Sequence, residues 1–225
     1  MAAIIEIKHL AKQFNNHILF DDVSLSINQG ECIGIVGGNG SGKSVLFQLI
    51  SGLAFADSGE ILVRQKAVGK GHDFPTDLGI FVNQPGYIEF YDGFTNLQLL
   101  ASIQNKIDDM TIREYMQRIG LDPYSKVKVK NYSAGMKQKL GIVQAIMENQ
   151  DIILLDEPFN ALDFQTNVEI MKILEELKSE GKTILLTSHQ HEFLEQICNH
   201  LYLILNHKIV PFDDELKMNY FALFK

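Results

Sequence analysis

Cysteine is scarce in this 225-residue chain, long apolar runs are missing, and positive charge is outnumbered. Only Cys32 and Cys198 occur, without CxxC spacing, which excludes a disulfide-stapled scaffold and a cysteine-built zinc site. The expected compartment is the cytosol, with both thiols buried as small hydrophobes. The longest apolar runs, such as Ile152–Leu155 and Leu201–Leu205, fall far below the ~18 residues that spanning a bilayer needs. No secretory leader is expected either, because the N-terminus lacks a basic segment and Glu6 and Lys8 interrupt its apolar residues. Twenty Lys and Arg against 28 Asp and Glu leave a net charge of −8, so no nucleic-acid partner held by bulk charge is expected. That balance still permits a small anion at one prepared site.

The chain has no repeat or low-complexity block. Its apolar share of 46% suits a packed globular domain, and residues 1–225 are read as one domain. Ile4–Leu10 and Val23–Ile27 alternate apolar and polar residues, the pattern of half-buried strands. Cys32–Val36 is continuously apolar, as a strand buried on both faces is. Short strands are expected at Ile61–Val63 and Ile80–Asn83, and residues 66–79 read as loop from their glycines and proline. From about Thr95 to Met147 the pattern is helical. Leu97, Leu100 and Ile103 share one face, Met136, Leu140, Val143 and Met147 share another, and Thr111 with Glu114 makes a capping box. Strands at Ile152–Leu155 and Ile184–Thr187 then flank an amphipathic helix from about Gln165 to Lys178, ended by Gly181. The β–α–β alternation predicts a mostly parallel α/β sheet with a helical subdomain inserted at about 86–147.

The strongest chemical signal is Gly37-Gly38-Asn39-Gly40-Ser41-Gly42-Lys43-Ser44, which fits GxxxxGK[ST] between a buried strand and a helix. Glycines let successive amides turn inward on a phosphate, and the helix that follows aims its positive end at the same place. Lys43 would reach the β- and γ-phosphates, and the Ser44 hydroxyl would bind Mg²⁺. A second signal is Asp156-Glu157, two carboxylates at the carboxyl end of the apolar run Ile152–Leu155. In open α/β sheets that end is where ligands lie. Asp156 is placed to hold Mg²⁺, and Glu157 to polarise an attacking water.

The stretch Tyr132-Ser133-Ala134-Gly135-Met136-Lys137-Gln138 then makes the pattern specific. It resembles the signature motif of the ABC (ATP-binding cassette) ATPases, usually written LSGGQ. Other elements of that family fall in order. Gln84 resembles the Q-loop glutamine, Ala161-Leu162-Asp163 the D-loop, and His189 the switch histidine. Phe14 resembles the aromatic that stacks on adenine, with packing onto a sheet as its alternative. The resemblance runs from about residue 4 to 210. It implies a P-loop NTPase fold of the ABC type with an N-terminal antiparallel β subdomain, ATP and Mg²⁺ as ligands, and ATP hydrolysis as the activity. Gln84, Glu157 and His189 would serve hydrolysis, with Gln84 also on the metal. The family works as a head-to-tail dimer, so each ATP would lie between one P-loop and the Ser133–Gly135 helix start of a second ATPase subunit, identical or similar.

Some positions depart from the family pattern. Ala134 replaces the signature's first glycine and Met136 its glutamine, Val45 stands where many members have Thr, and Asn160 where Ser often precedes Ala-Leu-Asp. None removes a charged catalytic group. His189-Gln190-His191-Glu192 suggests a metal pair, but i, i+2 histidines share a face only on a strand, so a solvated helix start is preferred.

Two functional readings follow from the resemblance. The first is the ATPase subunit of a transporter whose transmembrane permease is a separate chain, peripheral at the inner face of the membrane. Similarity around Tyr132–Leu140 to bacterial ABC-2-type exporters favours export. The second is a soluble ABC ATPase of an assembly complex of the iron–sulfur type. For the first, Tyr87, Ile88, Phe90, Tyr91 and Phe94 offer a docking surface, unless they pack internally.

Overall fold

The computed structural model describes residues 3–15, 17–72, 74–82, 86–160, 162–189, 191–214 and 216–218. The chain opens with two long strands, β1 (Ala3–Phe14) and β2 (His17–Asn28), paired antiparallel. Both outrun their alternating stretches. His9 and Asp22 adopt positive φ, and the register shifts between Ile7 and Leu10, so the ribbon bulges where the pattern breaks. With β4 (Ser58–Val63) and β5 (Lys66–Ala67) they form a four-stranded antiparallel sheet in the order β2-β1-β4-β5.

The second sheet has six strands. The wholly buried β3 (Cys32–Val36), β7 (Ile152–Leu155) and β8 (Thr183–Thr187) sit with β6 (Leu78–Phe81), β9 (His200–Leu205) and β10 (Lys208–Pro211) in the order β10-β9-β3-β8-β7-β6. All neighbours are parallel except β10 on β9. The glycine-rich stretch read as loop holds β5 and the first residues of β6. The apolar run Leu201–Leu205, too short to span a membrane, is most of β9.

Helix α1 (Lys43–Ser51) lies between the two sheets. Its Leu46, Phe47, Leu49 and Ile50 join Ile5 and Ile7 of one sheet and Ile152 and Leu185 of the other in one core. The opposite face of the parallel sheet packs against α4 (Ala134–Ile146), α5 (Phe164–Ser179) and α6 (His191–Ile197). Helices α2 (Gly93–Gln104) and α3 (Asp109–Arg118) precede α4 and complete the insert.

Three helices begin on an aspartate. Asp92, Asp108 and Asp163 each accept a hydrogen bond from the amide three residues on, at 2.8 Å. The capping box expected at Thr111 is therefore displaced: Asp108 caps α3, and both the amide and the hydroxyl of Thr111 donate to it. Leu97 is buried and Leu100 half-buried, as the helical stripe requires, but Ile103 is 75% exposed. Among the described glycines Gly79 has the closest neighbour, because a Cβ there would lie 1.8 Å from the Ala145 carbonyl oxygen of α4. Cys32 is buried and Cys198 half-buried, with their sulfurs 3.7 Å apart as free thiols. Their contact and burial hold the Cys198 thiol far above its usual range.

Candidate functional site

The turn from β3 into α1 carries Gly37–Gly42. Gly42 caps α1 with φ 106°, and a Cβ there would meet Phe20 at 2.9 Å. Gly38 and Gly40 face open space, so nothing blocks a ligand from the loop amides. Ser41 Oγ is buried with no hydrogen-bond partner, an unsatisfied polar atom inside the cradle. The loop borders a cavity of about 230 Å³ that brings Asn39–Val45 together with Asp156, Glu157 and His189.

Strand order explains this convergence. β8 lies between β3 and β7, so the carboxyl ends of three adjacent strands present the glycine loop, His189 and the two carboxylates side by side. Lys43 folds over the loop and donates to the carbonyls of Gly37, at 2.8 Å, and Gly38, at 3.3 Å. Burial holds its pKa below the usual lysine value, against the pull of Glu157 and Asp156.

Ser44 Oγ donates to Asp156 Oδ2 at 2.5 Å, and Thr187 Oγ1 donates to Asp156 Oδ1 at 2.6 Å. Hydroxyl and carboxylate oxygens are the hard donors that Mg²⁺ takes, usually one or two per site with water filling the rest. The donor set at Ser44 and Asp156 fits that ion.

Glu157 stands one residue on with φ 53°, a left-handed backbone for a residue with a side chain. Its carboxylate accepts the His189 amide at 3.0 Å through Oε2. Oε1 lies 3.2 Å from His189 Nε2 but is not aligned for a hydrogen bond, so that buried oxygen has no hydrogen-bond partner. Burial raises the pKa of Glu157, and the His189 amide, the His189 ring and Lys43 offset part of the rise. A buried carboxylate of raised basicity that lines the same cavity as the glycine loop can take a proton from water.

The remaining site residues lie elsewhere. Ser133 caps α4 through a bond from the Met136 amide, at 3.1 Å, and Gly135 follows it; neither lines the cavity. Phe14 ends β1, is 47% exposed, and has Lys12 Nζ 4.7 Å from its ring centroid. Gln84 lies outside the described residues, as do Ala161, Gln190 and the side chain of His191. Asp163 of the Ala-Leu-Asp stretch caps α5, and Leu162 packs on the core.

Two contacts escaped the sequence reading. Thr187 joins Asp156 and the Glu157 amide, whose N–H it accepts at 2.8 Å. A polar residue ending an apolar strand beside the carboxylates was the available signal. Gln138, quoted above only as part of the signature stretch, donates from Nε2 to the Glu157 carbonyl at 2.7 Å.

Comparison with known proteins agrees with this arrangement. The ABC transporter family matches residues 20–160. An uncharacterized ABC transporter ATP-binding protein of Bacillus subtilis, YybJ, is 37% identical over 91% of this chain and 93% of its own. The bacitracin transport ATP-binding protein BcrA of Enterococcus faecalis is 31% identical over 88% of this chain and 65% of its own. Among solved structures, an ATP-binding subunit of an ABC transporter aligns with a TM-score of 0.84 at 23% identity, covering 98% of this chain and 94% of that one. A dimeric cassette in a post-hydrolysis state, bound to ADP and Pi, aligns with a TM-score of 0.80 at 23% identity, covering 91% and 96%. On the extent of the family match and the identity to its relatives, this chain belongs to the ABC transporter ATP-binding proteins, with their α/β fold.

Proposed function

We propose that the protein hydrolyses ATP to power transport, most plainly export, by a separate transmembrane permease. The observation that carries this reading is the single cavity joining the glycine loop to Asp156, Glu157 and His189. In it the triphosphate takes the loop amides, and the Lys43 ammonium turns from its two carbonyls to the β- and γ-phosphates. Ser44 and Asp156, with Gln84 as the resemblance implies, would hold Mg²⁺, which would supply neutralising charge to the bound nucleotide. Glu157 orients the attacking water and takes its proton, and His189 contacts the γ-phosphate. Phe14 is assigned to the base, on which its exposed ring would stack in place of Lys12. Ser133 and Gly135 lie away from the cavity, which suits a role at the nucleotide of a second ATPase subunit. The dimeric relative in structure supports that arrangement.

The permease is assigned to the insert. Phe94 is buried and Tyr87 packs against the core, so these two serve the fold. Ile88, Phe90 and Tyr91 remain exposed, Phe90 at 68%. A groove of about 360 Å³ between β6 and helices α2 and α4 adds Ile80, Val82, Leu100 and Ile103. Among the described residues no helix is long and apolar enough to cross a membrane, and the reading assigns the pore to a second chain. Export is favoured by relatives named for bacitracin and lantibiotic transport.

The test is co-purification of the tagged protein from detergent-solubilised membranes of its own host. The reading expects a polytopic membrane chain in stoichiometric amount, lost in Phe90→Asp. Protein recovered free in the cytosol, or with a soluble assembly complex only, would overturn the transport assignment while leaving the ATPase one.

A further inference from the structure

Glu157 holds a left-handed backbone, φ 53°, which costs a residue with a Cβ on the order of 1 kcal/mol or more. Such a conformation persists where the surroundings enforce it, and four hydrogen bonds do so. The amide donates to Thr187 at 2.8 Å, the carboxylate accepts the His189 amide at 3.0 Å, and the carbonyl accepts Gln138 Nε2 at 2.7 Å and, within its own turn, the Asn160 amide at 3.2 Å. The first two come from the end of β8 and the residues after it. The third comes from α4, a different part of the molecule.

The neighbouring residue on α4 is bonded in the opposite direction. The Tyr87 hydroxyl donates to the Lys137 carbonyl at 2.7 Å. One turn further, Gly141 leaves room for this contact, since a Cβ there would fall 2.8 Å from the Tyr87 hydroxyl and 2.3 Å from the Phe81 ring. Tyr87 in turn leads into Ile88, Phe90 and Tyr91, the exposed apolar residues. Two adjacent residues of one rigid helix thus take a bond from the exposed segment and give a bond to the catalytic turn.

We propose that Gln138 is a positioning residue for ATP hydrolysis, clamping the Glu157 backbone so that its carboxylate faces the phosphate cradle, and that Tyr87 ties this clamp to the exposed segment after β6. The inference rests on the ATPase reading above. Gln138 lines neither the cavity nor the phosphate loop, so it acts only through Glu157. Without its N–H the Glu157 carbonyl keeps only the Asn160 amide of its own turn and loses its tether to α4, so the backbone can relax toward an ordinary φ and the carboxylate shifts. Misplacement by about 1 Å is enough to cost roughly 10²-fold in rate.

The experiment is an epistasis test on purified protein, reading kcat, KM for ATP and melting temperature. Gln138→Met keeps length without a donor, and Gln138→Glu keeps shape without one. Both should lower kcat about tenfold with KM and melting little changed. Tyr87→Phe, which removes one hydroxyl, should lower it less. In a Glu157→Gln background, where there is no carboxylate to place, the same changes should leave the residual rate within about twofold. Equal losses in both backgrounds would mark Gln138 as merely structural, and unchanged kcat in an active protein would overturn the clamp. Wild-type protein that hydrolyses no ATP would sink the ATPase reading itself, a distinct result.

Discussion

Thr187 and Asp156, at the carboxyl ends of adjacent strands, share a hydrogen bond of 2.6 Å in which the threonine hydroxyl is the donor. The same hydroxyl accepts the Glu157 amide at 2.8 Å, so one side chain fixes both carboxylate residues of the site. Thr187→Val keeps the shape and removes both bonds. It leaves a buried N–H and a buried carboxylate oxygen short of partners, at about 1–3 kcal/mol of stability. Turnover should fall by about tenfold or more, the equivalent of ~1.4 kcal/mol of positioning. Melting and steady-state ATPase assays check both.

Lys43 is the only lysine or arginine among the described residues that line the cavity beside the glycine loop. Lys43→Ala removes both charge and reach and should weaken Mg-ATP binding by about 100-fold, the scale of lost charged hydrogen bonds. Its fold should survive, because the carbonyls of Gly37 and Gly38 regain water. Isothermal titration calorimetry reads the affinity, and an unchanged value contradicts the loop assignment.

The fold itself is most exposed to test at Gly79. Gly79→Ala places a methyl 1.8 Å from the Ala145 carbonyl oxygen, a backbone atom that cannot rotate away. Strand β6 and helix α4 have to separate, and destabilisation of about 3 kcal/mol or more is expected. A chemical denaturation series measures it.

Much of this was legible beforehand because the informative signals are local. A glycine loop between a buried strand and a helix, and carboxylates ending an apolar run, declare themselves in sequence order. What stayed hidden depends on distance in the chain. Thr187 bonds Asp156 across 31 residues and Gln138 reaches Glu157 across 19, and neither residue type announces such a partner. Asp108 and Thr111 both qualify as helix caps by type, and only the bond from the Thr111 amide decides for Asp108. The aromatic cluster after β6 divided for a similar reason: composition could not tell Phe94, which fills the core, from Phe90, which faces solvent.

A pH dependence follows from the Glu157 environment. Burial raises its pKa above the ordinary value of 4.5, so the native protein binds a proton that the unfolded chain has released. Stability therefore falls as pH rises from about 4.5 through the raised native value, because the charge then has to form inside the protein. Glu157→Gln removes that cost and should stabilise the nucleotide-free protein at neutral pH. The gain should shrink as the pH is lowered through the same window. Turnover runs the other way: it needs the carboxylate, so its acid limb should lie above pH 4.5. Melting curves and rate profiles over pH 4–8 test both signs.

The most direct test of the account is Glu157→Gln with Mg-ATP, read as ATPase rate and mass in solution together. The substitution keeps shape and removes charge and basicity. It should leave ATP affinity intact and cut turnover by about 10²-fold or more, the scale of a lost general base. With ATP persisting between subunits, the variant should run as a nucleotide-bound dimer and return to monomer without ATP. Near-wild-type turnover in Glu157→Gln would contradict the assignment of Glu157, and with it the catalytic reading of this site.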